Sequence, residues 1–205
     1  REYIHFMKKH TDVPVIFLDF YDKELAKDAV IADNFYGMYL MTGYLFEQGF
    51  TKMAYVGSIH VTSSIMDRYC GFYKAQLEHG QVLPEEWLIE DRDEKGYMDI
   101  KLPQHMPEAF VCNCDLAAGM LIQELEKQGY RVPEDISVVG FDNYLYPGVT
   151  DKNITSYEVN IQVMVKVALE KALKQIKNPD SGRGLSIVSG KIVEKESVQK
   201  ICRES

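Results

Sequence analysis

The sequence predicts an α/β fold on a largely parallel sheet, and three observations carry that prediction. Short apolar runs of strand type alternate with longer segments of helical period. The helical segments are bounded by cap-type residues at one end and by a glycine or proline at the other. The strand-type runs are apolar throughout rather than alternately apolar and polar, the pattern of a sheet covered on both faces.

Taken in order, the first strand run is Val15 to Leu18. After Asn34, a candidate N-cap, Met38, Met41 and Leu45 recur at helical spacing up to the stop at Gly49. A strand follows at Met53 to Val56, and Arg68 lies near the start of a helix that runs toward His79. Pro103 and Pro107 resist helical continuation, so the helix expected before the next strand is shortened. That strand is Ala109 to Cys112. Beyond it Asp115 is a second N-cap candidate, and Ala118, Leu121, Ile122 and Leu125 mark one helix face ending at Gly129. A strand at Ile136 to Val139 comes next. The last helix carries Ile161, Met164, Ala168 and Ala172 and closes at Asn178-Pro179-Asp180.

Composition narrows the function classes. The 205 residues are 46% hydrophobic and 11% aromatic, enough to bury about 70% of the unfolded surface in one or two lobes. With 23 Lys plus Arg against 31 Asp plus Glu, the net charge of -8 leaves no basic stripe for a row of phosphates, so these residues are not expected to grip DNA. No apolar run is long enough to span a bilayer, and Arg1-Glu-Tyr-Ile-His5 lacks the pattern of a signal peptide. A cytoplasmic location is expected. The chain opens on Arg1 rather than Met, so a longer native chain is expected too. Cys70, Cys112, Cys114 and Cys202 are too few and too irregular for a disulfide framework. Cys112 and Cys114 share one strand face but lack the further ligands a metal needs.

In a parallel α/β sheet, ligands bind beyond the carboxyl ends of the strands. The positions of interest are therefore Asp19, the loop Gly57 to Ser64, Cys114, Asp115 and Asp142, with Arg68 just past the loop. Three carboxylates and one arginine are expected to converge on one crevice, with Asp115 serving its helix as an N-cap.

The segment Val132-Pro-Glu-Asp-Ile-Ser-Val-Val-Gly-Phe-Asp-Asn143 resembles a signature of the lactose/galactose repressor family. Further ordered segments share the resemblance: VPVIFLDF followed by VIADNFYGMYL, LFEQGFTKMAYVGS with Arg68-x-x-Gly71, AFVCNCDLAAGMLIQELEKQGYRVPED, and the closing KIVEKES. The resemblance implies a fold like that of periplasmic sugar-binding proteins, two α/β lobes with a ligand between them. The crossings would fall near Asp33, Tyr157 and Ile187. Residues 34–157 and 188–205 would form the C-terminal lobe, and 1–33 with 158–187 the latter part of an incomplete N-terminal lobe. The family's DNA-binding headpiece would lie upstream. In a molecule starting at Arg1, the smaller lobe would show an unpaired sheet edge and exposed apolar surface, leading either to self-association or to a longer native chain.

Carried over position by position, the resemblance makes Asp19, Arg68 and Asp142 effector contacts. Carboxylates accept from neighbouring hydroxyls and a guanidinium offers a fork of donors, a set suited to a sugar or related polyol. Two departures stand out. Cys114 occupies a position where many sugar-responsive relatives have Asn, and Glu90 to Gly96 lacks the usual stacking aromatic, leaving Tyr97 as the nearest substitute. The expected function is effector sensing in a transcriptional regulator that reaches operator DNA only through the headpiece, as a homodimer and without a cofactor. A solute-binding protein for a sugar transporter is the alternative on the same fold. Catalysis is not expected: Ser58, Ser63, Cys112 and Cys114 have no histidine placed by a recognisable motif, and the loop Gly57-Ser-Ile-His60 lacks dinucleotide-site spacing.

Overall fold

The computed structural model describes residues 6, 13–22 and 28–201. Its strands are β1 (Phe17–Leu18), β2 (Ala29–Ala32), β3 (Met53–Val56), β4 (Leu88–Ile89), β5 (Ala109–Cys112), β6 (Ser137–Asp142), β7 (Thr155–Glu158), β8 (Leu185–Val188) and β9 (Lys191–Val193). Among the described residues, the helices of more than one turn are α1 (Asn34–Glu47), α2 (Ser63–Glu78), α3 (Asp115–Lys127) and α4 (Ile161–Lys177). The strands form two sheets. One is three-stranded, all parallel, in the order β1-β2-β8; the other is six-stranded in the order β4-β3-β5-β6-β7-β9, parallel except where β9 runs against β7.

The apolar runs are buried on both faces. Met53 and Tyr55 of β3, Ala109 and Val111 of β5, and Val139 and Phe141 of β6 join one core with Met38, Met41 and Leu45 of α1 and Phe72 of α2. The residues between them, Ala54, Val56, Phe110, Cys112 and Val138, join a second core with Ala118, Leu121, Ile122 and Leu125 of α3. Side chains alternate faces along a strand, so a sheet with helices on both sides needs apolar residues at every position.

Where α2 crosses α1, Gly71 allows the contact: a Cβ there would stand 2.1 Å from the carbonyl oxygen of Phe35. The glycine of Arg68-x-x-Gly71 thus lets the two helices close while the arginine one turn earlier faces the strand ends.

Several boundaries differ from the sequence reading. The first strand is confined to Phe17–Leu18, whereas the strand expected over 136–139 continues to Asp142 by pairing Gly140, Phe141 and Asp142 with Ser156, Tyr157 and Glu158. Both N-caps shift back by one residue. Asp33 caps α1 by accepting from the Tyr36 amide at 3.3 Å, and Cys114 occupies the cap position of α3. The predicted stops hold: Gly49 and Gly129 follow their helices with φ of 94° and 87°. Residues 90–108 contain no helix, so the helix expected there in shortened form is absent altogether, in line with the resistance of Pro103 and Pro107 to helical continuation. β2, β4, β7 and β8 add to the strand runs read from the sequence, β4 being only two residues long and β2, β7 and β8 lying in the stretches treated as crossings. Among the described residues no helix is long and apolar enough to cross a membrane.

The chain passes from the small sheet to the large one between β2 and α1, returns after β7, and passes over again between β8 and β9. The carboxyl ends of β1 and β6, one from each sheet, thereby come to face one space.

Candidate functional site

That space is a cleft of about 710 Å³. Asp19 follows β1 and Asp142 ends β6, and both line it, together with Leu18, the Asn143-Tyr144 turn, Tyr146, the run from Glu158 to Gln162, Met164 and Val165. Backbone conformation singles out the same place. Among the described residues only Asp19, Asp142 and Asn143 are non-glycines with positive φ, at 64°, 102° and 54°. L-residues hold such conformations at a cost of about 1–3 kcal/mol, and such strain concentrates at functional sites.

Arg68 is 4% exposed and stands behind Asp142. Its Nε donates to Asn34 Oδ1 at 2.7 Å and one terminal nitrogen donates to the Asn113 carbonyl at 2.7 Å. The other terminal nitrogen is 3.4 Å from Asp142 Oδ1, and the guanidinium plane lies 4.0 Å from the Phe141 ring centroid. The expected open fork of donors is therefore engaged within the protein. Arg68 knits the start of α1 and the end of β5 to the carboxylate at the end of β6, so that Asp142 is the group presented to the cleft.

Burial sets the electrostatics. Desolvation raises the Asp142 carboxyl to about 6, against the lowering effect of Arg68 and with a further upward push from Asp19. Asp19 is raised for the same first reason and is held back by the Arg68 charge. The residue is exposed at the cleft, and its backbone is fixed at both ends. The Asp19 amide donates to the Val30 carbonyl at 2.9 Å, and the Ser64 hydroxyl donates to the Asp19 carbonyl.

The remaining candidates separate. Cys114 packs against the second core, burial pushes its thiol to about 11, and it is not among the cleft-lining residues. Tyr97 is 71% exposed and also lies outside that lining. Its amide donates to the Asp93 carboxylate at 2.9 Å within the 90–100 loop. Asp115 is not the cap of α3. Its carboxyl turns inward, accepting from the Tyr144 amide and the Ser156 hydroxyl, each at 2.7 Å, and burial raises it to about 7. It packs so tightly under β6 that a Cβ on Gly140 would meet Asp115 Oδ1 at 2.0 Å. Asp115 thus clamps the turn that carries Asp142 without facing the cleft.

Sequence reasoning missed Asn34, which passed for a helix cap, and missed Asp91 and Asn113, which form a buried group with Ser58 of the loop already singled out. Asp91 is 0% exposed and accepts from the Ser58 amide at 2.9 Å and the Asn113 side-chain amide at 3.1 Å. This joins the ends of β3, β4 and β5 and holds the Asn113 carbonyl in place for Arg68. The one available signal was position, since each of these residues follows a strand. Among the described residues no cluster of His, Cys, Asp and Glu is arranged to hold a metal ion.

Residues 42–198 match the family model for the periplasmic binding protein-like domain. The chain belongs to that family. Within it, the relatives are regulators of the lactose/galactose repressor group. The chain is 29% identical over 200 residues to the HTH-type transcriptional repressor PurR of Vibrio vulnificus, covering 95% of this chain and 60% of that protein. It therefore spans about three fifths of the length of such relatives. A putative transcriptional regulator LacI from Bacillus cereus superposes with a TM-score of 0.79 at 22% identity, covering 98% of this chain and 72% of the other. A LacI family transcriptional regulator from Enterococcus faecium, solved with bound ribose, superposes with a TM-score of 0.74 at 20% identity over 92% of this chain and 72% of that one. The periplasmic-binding-protein-like architecture of two parallel sheets flanked by helices is the fold these relatives share.

Proposed function

We propose that this domain is the effector sensor of a bacterial transcriptional regulator, and that its cleft receives a sugar or related polyol. One observation carries the reading: Asp19 and Asp142, from different sheets, line one cleft, and both hold the positive-φ backbone conformations that concentrate at functional sites. The carboxylates accept from ligand hydroxyls, each such bond contributing about 1.5–3 kcal/mol because one partner is charged. Arg68 acts as a positioning residue that aims Asp142. The aromatic and aliphatic wall of Tyr144, Tyr146, Val159, Ile161, Met164 and Val165 covers the apolar face of the ring.

A ligand that touches both sheets favours the arrangement in which they approach. In a cytoplasmic homodimer whose DNA-binding headpieces lie elsewhere in the whole protein, that bias alters headpiece spacing and operator affinity, with a coupling of about 1–3 kcal/mol. The relatives' repressor function favours this reading over a transporter's binding protein.

The test is a thermal-shift screen of the intact native protein against pentoses, hexoses and disaccharides. A ligand at 100 times its dissociation constant stabilises by about 2.7 kcal/mol. The expected result is a shift that Asp142→Asn removes and Arg68→Lys weakens. Retention of the full shift in both variants would place the ligand elsewhere.

A further inference from the structure

The cleft wall has an unbalanced charge. Its ionisable lining residues, apart from the tyrosines, are Asp19, Asp142 and Glu158, with no Lys, Arg or His among the described residues that line it. Glu158 is already answered: Lys191 Nζ stands 3.2 Å from it and the Asn143 side-chain amide donates to it at 3.0 Å. Asp142 is answered by Arg68 at 3.4 Å. Asp19 is not. No described residue gives its carboxylate a hydrogen bond or an ion pair, and the one cation that it senses, Arg68, is engaged with Asn34, Asn113 and Asp142. Among the described residues, the exposed Asp19 carboxylate and the more enclosed Asp142 therefore share a single guanidinium, which leaves one negative charge without a cation of its own at the place where the sheets meet.

The same cleft holds an aromatic pair. The rings of Tyr144 and Tyr146 meet edge to face with centroids 4.8 Å apart, and both line the space that Asp19 and Asp142 enter. Carboxylates beside aromatic faces make a favourable setting for a cation, since the ring face carries partial negative charge and the carboxylate takes the N–H donors. A neutral polyol would leave the excess charge desolvated when the cleft closes, and a phosphorylated one would add like charge to it.

We propose that the effector of this domain is an amine-bearing polyol, such as an amino sugar, whose ammonium group sits between the Asp19 and Asp142 carboxylates beside Tyr144 and Tyr146. The inference rests on the cleft being the effector site, and it selects among ligands for that site. An ammonium donates to both carboxylates and cancels the excess charge, while the remaining hydroxyls reach Asn143, Asn160 and Gln162, which line the same wall. Binding requires Asp142 ionised, and burial holds its carboxyl near 6. Affinity for an amine accordingly rises as pH increases through that region and falls again where the ligand's own ammonium loses its proton.

The experiment is calorimetric titration of the intact native protein with matched sets: glucose, galactose and mannose, their 2-amino derivatives, and their 6-phosphates. The expected result is that an amino sugar binds roughly tenfold or more tightly than its parent, the increment of one added charge-assisted hydrogen bond. No phosphate binds, and the amine's affinity climbs between pH 5 and 7. Asp19→Asn cuts amine affinity far more than parent affinity and so collapses the preference, and Asp19→Glu restores much of it. Tighter binding by a parent sugar that Asp142→Asn weakens would overturn the amine while leaving the cleft as the effector site. Preference for a phosphate, or amino sugars that give no heat at millimolar concentration, would overturn it equally. An amine preference that survives Asp19→Asn would do the same, because the excess charge would then not be its source.

Discussion

The two sheets bury their surroundings very differently. Around the six-stranded sheet, Leu121 and Ile122 on one face and Met41, Leu45 and Phe72 on the other are fully buried. Against the three-stranded sheet, α4 shows a partly inverted pattern. Lys171 and Gln175 are 7% and 3% exposed, while Leu169, Leu173 and Ile176 lie between 58% and 63%. The buried lysine reaches past the sheet edge, its Nζ donating to the Gly184 carbonyl at 2.7 Å and to the Ser186 hydroxyl at 3.2 Å. Helical periodicity of apolar residues tells which positions suit burial. What covers them is a separate question, and within the described residues only the larger sheet has helices on both faces.

The sharpest way to break this comparison is truncation in the well-covered region. Leu121→Ala removes a side chain enclosed by the second core, and such substitutions cost about 2–5 kcal/mol because the cavity closes only in part. Urea unfolding should show the midpoint moving down by a corresponding amount. A cost below about 1 kcal/mol would mean that α3 is held far more loosely than its burial implies.

A second, smaller effect separates the regions by pH. Asp115 lies under the large sheet with its carboxyl raised to about 7. An unfolded-chain aspartate titrates near 4, so the folded protein binds the proton more tightly. The stabilisation this provides is complete below about pH 4 and is lost as pH rises through 7. Asp115→Asn keeps an acceptor for the Tyr144 amide and a donor for the Ser156 hydroxyl without any charge. It should therefore gain about 1–3 kcal/mol relative to the parent between pH 5 and 8. Asp135 provides an internal contrast: its exposed pairing with Arg131 lowers it to about 2, so its smaller stabilisation is present above about pH 4 and is lost only on acidification. Parallel stability curves for parent and Asp115→Asn across that range would show that Asp115 does not titrate as its burial requires.

The same contrast explains what could be read from the chain beforehand. β3 and β5 were legible to the residue because both faces of their sheet are apolar, and the helix stops at Gly49 and Gly129 because positive φ favours glycine. Asp19 and Asp142 were legible from the strand-end rule and the family resemblance, and the two do line one cleft. The engagement of Arg68 was not, since its partners Asn34 and Asn113 lie 34 and 45 residues away in the chain and resemble ordinary cap and loop residues. Asp115 misled for a related reason. An aspartate opening a helix is usually a cap, and only the fold brings the Tyr144 amide and Ser156 hydroxyl into its reach. Tyr144 and Tyr146 entered the site because the chain turns back after β6, a geometry no local pattern announces.

The smallest expected effect tests the sparsely covered helix. Leu173 on α4 is 58% exposed, so replacing it with Ala removes little area from a packed environment. For the 205-residue chain in dilute solution, Leu173→Ala should change the unfolding free energy by no more than about 0.5 kcal/mol, the range typical of surface positions. Because the exposed face also includes Leu169 and Ile176, the measurement should be repeated across a range of protein concentrations. A substitution that stays neutral at every concentration leaves Leu173 in water. A cost that grows toward 2 kcal/mol at high concentration would instead mean that a second copy covers the face, since stability coupled to association follows mass action. In that case the difference between the two sheets would belong to the isolated chain and would vanish in the assembly.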